Sequence, residues 1–206
     1  LPHKINVGSE TVAAMTYLGA RLKEQTTLPI GVIVLWNDYK AALSIAKAIG
    51  ASFVRVPVFV DHVKTEFGTI EGNPKEVVGF RKAIDADQVR IYADIHVKHA
   101  KLLSKSTLVE SAKKEERQGA DAIIITGKWT GEAPQEKDLK RLDVNIPVIV
   151  GSGVDKDNIT KLSKHAQGFI ISSSLKEDYS EAHERNIFSS SARISQKKVL
   201  ELTSRI

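Results

Sequence analysis

Residues 108–126, LVESAKKEERQGADAIIIT, contain the pattern that decides the fold. Apolar residues recur at helical spacing as far as Gln118, and Gly119 is a typical end for a helix. The apolar run Ala122–Thr126 that follows is too short for a second helix and is rich in β-branched residues. The same order occurs in residues 41–59, AALSIAKAIGASFVRVPVF. Both stretches therefore predict a helix that leads directly into a buried strand.

This alternation of helices and strands extends along most of the chain. Helices are predicted at 9–25, 41–49, 74–84, 108–118, 135–142, 157–165 and 195–204, and strands at 30–35, 53–59, 89–95, 122–126, 148–150 and 169–172. No hairpin signal is present, so we expect parallel strands joined by right-handed helical crossovers. Two α/β architectures fit, a doubly wound open sheet and a (βα)8 barrel of the TIM type.

Two features favour the barrel. No Gly-x-Gly-x-x-Gly follows the first strand, which weakens a dinucleotide-binding fold. The last two strands are followed by Gly151-Ser152-Gly153 and Ser172-Ser173-Ser174, where barrels commonly bind phosphate. Six strands are predicted, whereas eight need about 250 residues. We therefore expect residues 1–206 to form a single barrel domain that lacks its first two βα units.

The composition excludes several classes of protein. The chain has 30 Lys and Arg against 25 Asp and Glu, and no cysteine. Disulfide scaffolds, zinc–cysteine sites and thiol nucleophiles are excluded, which fits a cytoplasmic location. No apolar run approaches the roughly 18 residues of a membrane span. The run Lys113-Lys114-Glu115-Glu116 predicts a solvated helix face rather than a nucleic-acid patch.

The densest polar cluster is Asp94-Ile95-His96-Val97-Lys98, at the carboxyl end of a predicted strand. The two-residue period of a strand places Asp94 and His96 on one face, followed by Lys98 if the strand continues. Asp94 could orient His96 for proton transfer, or the two could bind a divalent cation. The alternative is that Asp94 accepts hydrogen bonds from loop amides and Lys98 only leads into the next helix.

A second group of candidates would bind an anion. Glycines permit close approach of the backbone, and serine hydroxyls donate hydrogen bonds. The predicted phosphate-binding residues are Gly151, Ser152, Gly153, Ser173 and Ser174. Glycine and serine are also common in ordinary strand-to-helix turns, which is the alternative.

Four further residues are candidates near the mouth of the barrel. Lys128, in a glycine-bounded loop, could contact a phosphate or carboxylate, or could be an exposed loop residue. Arg55 lies inside a predicted strand, so we expect an ion pair within the barrel. Asp38 most simply caps a helix, and Glu71 lies in a long predicted loop, 60–72.

Several strings of the sequence together resemble the BtpA/SgcQ family. They are IEG at 70–72, DIHVKHA at 94–100, GEAP at 131–134 and VGSGV at 150–154. The resemblance implies a (βα)8 barrel of the phosphate-binding kind, with two further strands before the present chain. Cyanobacterial members of the family are tied to photosystem I biogenesis, and enteric relatives occur among sugar-uptake genes.

Two functions follow as expectations. The first is an enzyme, such as an isomerase, epimerase or lyase, that acts on a sugar phosphate or related metabolite, with His96 transferring a proton and Lys98 or Lys128 stabilising negative charge. A metal-assisted version would add Glu71 or Asp38 to Asp94 and His96. The second, implied only by the resemblance, is a photosystem I biogenesis factor at the thylakoid surface. The sequence leaves open the substrate, any metal and whether the chain forms homo-oligomers.

Overall fold

The computed structural model describes residues 4–127, 131–177 and 193–205. Its helices are α1 (Ser9–Gln25), α2 (Tyr39–Ile49), α3 (Pro74–Ala83), α4 (Leu108–Arg117), α5 (Glu136–Arg141), α6 (Ile159–Leu162) and α7 (Gln196–Thr203). Its strands are β1 (Gly31–Val32), β2 (Phe53–Val56), β3 (His62–Thr65), β4 (Gly68–Glu71), β5 (Arg90–Ile95), β6 (Lys101–Leu102), β7 (Ala122–Ile125), β8 (Val148–Val150) and β9 (Gly168–Phe169).

Six of these strands form one parallel sheet in the order β1-β2-β5-β7-β8-β9. The register pairs Phe53 with Arg90, Tyr92 with Ala122, and Ile123 with Val148. Each step along the sheet follows the chain order, with a crossover between neighbours. The parallel α/β architecture predicted from the alternation is therefore confirmed, and the carboxyl ends of all six strands lie at the same end of the sheet.

The expectation that the chain has no hairpin is wrong. Strands β3 and β4 pair in antiparallel fashion, and β6 joins them in a second sheet of order β4-β3-β6. The turn lacks an Asn-Gly or Asp-Gly signal. It is closed by the Thr65 hydroxyl, which donates to the Gly68 carbonyl and accepts from the Phe67 N–H, while Gly68 adopts a φ of 123°. The predicted loop at 60–72 is thus largely this hairpin.

Two predicted strands are shorter in the structure. The strand expected at 53–59 ends at Val56, because Pro57 has no N–H to donate to a neighbouring strand. The strand expected at 30–35 keeps only Gly31–Val32, and the chain then turns toward the Asp38 cap of α2.

The core consists of two apolar clusters and a smaller third one. The first lies between α2, α3 and strands β1, β2 and β5, and the second lies around β7, β8 and helices α4 to α6. Ile146 packs against both, which joins them. The third lies beneath the hairpin and contains Trp36, Val63 and Val97. None of the described helices has the length and apolar character needed to cross a bilayer.

Candidate functional site

A cavity of about 290 Å³ lies at the carboxyl end of the parallel sheet. Its walls come from Arg55 in β2 and from segments that follow strands β5, β7, β8 and β9. In the described part of the chain they are formed by Arg55, Lys98, Gly131, Lys176 and the segments 151–154 and 170–174. All five residues predicted to bind phosphate therefore line one cavity, together with two of the other predicted site residues, Arg55 and Lys98.

The glycines of the 151–153 motif are required by packing within the protein. Gly153 has a φ of 65°, and a Cβ atom there would overlap the backbone of Glu132 and Ala133. A Cβ at Gly151 would lie 2.7 Å from the Ile124 side chain. The lack of a side chain at these two positions is therefore explained by contacts within the protein, and the expectation that they bind a phosphate stays a prediction.

Two of the predicted serine donors are already used inside the protein. The Ser152 hydroxyl accepts from the Gly127 N–H at 3.1 Å and donates to the Glu132 carbonyl at 2.7 Å. The Ser174 hydroxyl donates to the Val154 carbonyl at 2.6 Å. Both hydroxyls thus hold the cavity loops in position.

Backbone N–H groups supply donors that the sequence reasoning did not consider. Ser173 and Ser174 begin a short 3-10 turn, Ser173–Leu175, so their N–H groups have no partner within it. Within the described residues no acceptor is found for these two groups or for the N–H of Gly153. Three neighbouring backbone donors on one cavity wall form a concavity suited to an anion.

The cavity is strongly positive. Arg55, Lys98 and Lys176 contribute cationic side chains, and among the described lining residues there is no Asp or Glu. Lys176 was missed by the sequence reasoning, although a cation two residues after Ser172-Ser173-Ser174 was a signal that could have identified it. The charges that line the cavity therefore favour an anionic ligand.

Arg55 forms the ion pair within the barrel that the sequence predicted. Its Nε and Nη2 donate to the two carboxylate oxygens of Asp94 at 2.8 and 2.6 Å, and Asp94 is 1% exposed. Burial lowers the pKa of Arg55, but the charge and hydrogen bonds of Asp94 outweigh it and raise the pKa above its usual value. Asp94 therefore holds Arg55 charged and in place beside the cavity.

Lys98 is the second cation beside this pair. It lies in the turn after β5, and within the described residues no acceptor or ion-pair partner binds its ammonium group. Burial and the positive charge of Arg55 lower the pKa of Lys98 below its usual value. A lysine of this kind can give up and take back a proton more readily than an exposed one.

His96 does not share a face with Asp94, so that prediction is wrong. Strand β5 ends at Ile95, and His96 has a φ of 47°, which breaks the two-residue alternation. The His96 N–H donates to Asp61 Oδ2 at 3.0 Å, and its ring Nε2 lies 3.4 Å from the Ser111 hydroxyl. Its contacts are thus with Asp61 and with helix α4, and it is not among the cavity residues.

Glu115, on helix α4, is a buried acidic residue that the sequence analysis placed on a solvated helix face. Glu115 is 0% exposed, and neither carboxyl oxygen has a hydrogen-bond partner in the described structure. Burial, together with the negative charges of Asp61 and Asp94, raises the pKa of Glu115 well above its usual value. The buried site therefore favours the neutral form of Glu115, and the expectation of a solvated face at 113–116 is wrong for it.

Two of the remaining candidates, Asp38 and Glu71, are not among the residues that line the cavity. Asp38 caps α2 by accepting from the Ala41 N–H, and it also accepts from the Val7 N–H, both at 2.9 Å. Glu71 is exposed on β4, paired across the hairpin with His62. Lys128 lies outside the described residues. Within those residues no group of three His, Asp or Glu side chains is arranged to hold a metal ion.

Comparison with known proteins shows which family the chain belongs to. The model of the BtpA family matches residues 1–196. The chain belongs to the BtpA family. It is 41% identical to the photosystem I biogenesis protein BtpA of Synechocystis over 178 residues, which is 84% of this chain and 61% of the relative. It is 40% identical to an uncharacterized protein of Archaeoglobus fulgidus, over 85% of this chain and 71% of that protein.

Solved structures show which fold this BtpA-family chain has. It superposes on N-(5'-phosphoribosyl)anthranilate isomerase from Pyrococcus furiosus with a TM-score of 0.60 and 15% identity, over 92% of this chain and 79% of that enzyme. Similarity at this level of identity concerns the fold alone. The six parallel strands and their helices are thus arranged as in a TIM-type barrel, as the sequence predicted.

Proposed function

We propose that this BtpA-family barrel is an enzyme domain that binds a small phosphorylated metabolite in the cavity at the carboxyl end of its sheet. One observation carries the proposal. Three cationic side chains and three residues whose backbone N–H groups lack acceptors line one cavity, and none of the described lining residues is acidic. Asp94, which binds Arg55, is buried and is not among them.

The phosphate would lie against the segments that follow β8 and β9. The N–H groups of Gly153, Ser173 and Ser174 can donate to its oxygens, and Lys176 adds a charge-assisted hydrogen bond. Ser152 takes part indirectly, since its hydroxyl fixes the loops that form the wall. A cavity of about 290 Å³ suits a small metabolite, because ligand pockets start at roughly 300 Å³.

The chemistry would be proton transfer next to a centre that becomes negatively charged. Lys98 supports this role by its position in the cavity and its lowered pKa. Arg55, held by Asp94, can stabilise the developing charge. These roles fit an isomerase, epimerase or lyase. Both oxygens of Asp94 are used by Arg55, so the proposal assigns no metal to Asp94.

A photosystem assembly factor is the second candidate. It is favoured by the name of the Synechocystis relative, which is 41% identical. The Archaeoglobus fulgidus protein is 40% identical over a similar share of this chain, so the similarity does not single out the photosystem role. A positive cavity supports the enzyme more directly than a docking protein.

The test measures binding of glycerol 3-phosphate and of glycerol by calorimetry, with Lys176→Gln as the site variant. The matched control is Lys137→Gln, which removes the same charge from an exposed position on α5 outside the cavity. We expect only the phosphorylated compound to bind, with a Kd about tenfold or more weaker in Lys176→Gln, because a hydrogen bond to a charged group contributes about 1.5–3 kcal/mol. Absence of binding, or equal weakening in both variants, would overturn the phosphate site.

A further inference from the structure

Two of the three cations lie away from the segments assigned to the phosphate. Arg55 is in β2 and Lys98 follows β5, whereas the phosphate segments follow β8 and β9. Strand β7 lies between β5 and β8 in the sheet, so the nearer cation is separated from the phosphate segments by about 10 Å along the sheet, two strand spacings. The two groups of donors therefore come from different parts of the sheet, and each can bind its own anionic group of one ligand.

Among the residues that the structure describes, the charge near Arg55 and Lys98 is not balanced. Asp94 provides one negative charge for two positive ones, and it binds only Nε and Nη2 of Arg55. In the described residues the Nη1 group of Arg55 and the ammonium group of Lys98 have no acceptor. A partly buried cation without a partner costs free energy, which an anionic ligand group would recover.

The type of anion follows from the donors and the space. A guanidinium with a free N–H beside an ammonium group matches the two oxygens of a planar carboxylate. A carboxylate is also smaller than a second phosphate, which suits a cavity of about 290 Å³. A carboxylate two to three bonds from the phosphorylated oxygen would span the two regions.

We propose that the ligand is a phosphorylated small carboxylic acid, with its carboxylate held by Arg55 and Lys98. This inference rests on the proposed phosphate site and adds a second anion subsite to it. Phosphate and carboxylate would then fix both ends of the molecule and leave the carbons between them next to Lys98.

The test uses two pairs of compounds that differ only in whether a carboxylate replaces a hydroxymethyl group. They are 3-phosphoglycerate against glycerol 3-phosphate, and 2-phosphoglycolate against 2-hydroxyethyl phosphate. Kd is measured by calorimetry at pH 7.5 for the unaltered protein and for Lys98→Gln, Lys176→Gln and Lys137→Gln. In at least one pair, we expect the carboxylate compound to bind the unaltered protein about tenfold or more tightly than its hydroxymethyl counterpart does.

The variants separate the two subsites. Lys98→Gln should remove most of the carboxylate advantage and leave the hydroxymethyl compounds unchanged, whereas Lys176→Gln should weaken all four, and Lys137→Gln none. If both members of each pair bind equally, or if Lys98→Gln weakens them equally, the carboxylate subsite is refuted and the phosphate site stands. If none of the four compounds binds, both proposals fail.

Discussion

Glu115 places an acid in the apolar interface between α4 and the sheet, one helical turn from Ser111. Its position could have been predicted, because Leu108, Ser111, Ala112 and Glu115 follow the spacing of a single helix face. The charged residues at 113, 114 and 116 stand next to Glu115 in the sequence, so the whole run was interpreted as solvated. Nothing in the sequence places Asp61 near Ser111 and His96, because these contacts join residues 50 and 35 positions apart.

We expect Glu115→Gln to change how stability depends on pH. The folded pKa of Glu115 lies well above the unfolded value, so its contribution to the free energy of unfolding is fully present below about pH 4.5 and is lost as the pH rises toward the folded pKa. Glutamine cannot ionise, so the variant should gain stability relative to the unaltered protein as the pH rises, by up to about 1.4 kcal/mol per pH unit. Urea unfolding of both proteins at pH 5, 6, 7 and 8 measures this difference. If the two free energies of unfolding change equally with pH, the prediction is contradicted.

At the scale of elements, the strands and helices that follow the repeating pattern were predictable, and the exceptions have local causes. Pro57 shortens β2, and the Thr65 hydroxyl makes a hairpin turn without the usual glycine pair. His96 leaves the strand in a left-handed conformation, and no sequence rule signals this for histidine. The missed Lys176 lies just beyond the 3-10 turn, in a segment predicted only as polar.

Helix α4 depends on a capping box at its start. The Thr107 hydroxyl accepts from the Glu110 N–H at 3.3 Å, and the Glu110 carboxylate accepts from the Thr107 N–H at 2.8 Å. Thr107→Ala should therefore lower the free energy of unfolding by about 1 kcal/mol. Thr107→Ser keeps the hydroxyl and should restore most of the loss in urea titrations. If serine and alanine have equal effects, the hydroxyl does not cap the helix.

At the scale of the whole molecule, the two large apolar clusters lie under one continuous sheet and share Ile146. We propose that the chain is a single domain. The alternation of helices and strands was sufficient to predict a parallel α/β sheet, because parallel strands require crossovers. The choice of a barrel over an open sheet depended on the motifs that follow the strands. The alternation could not predict the cavity, which depends on residues from five strands and the segments that follow them.

A single domain should unfold in one cooperative step. The variant Trp129→Phe leaves Trp36, beneath the hairpin, as the one tryptophan, so its fluorescence reports on that region. Far-UV circular dichroism reports on the helices that pack on both large apolar clusters. We expect the two urea midpoints to coincide, because the clusters are joined through the sheet. Loss of the tryptophan signal at lower urea than the dichroism would show that the hairpin region unfolds separately.

The contact at Gly153 limits how this cavity can diversify. The backbone of Glu132 and Ala133 fills the space that a side chain at 153 would need, and the Ser152 hydroxyl joins the same loop to Gly127. We therefore expect a change of length in the loop after β7 or in the loop after β8 to be tolerated only with a matching change in the other loop. An engineer who grafts a new specificity onto this barrel would have to transplant both loops together.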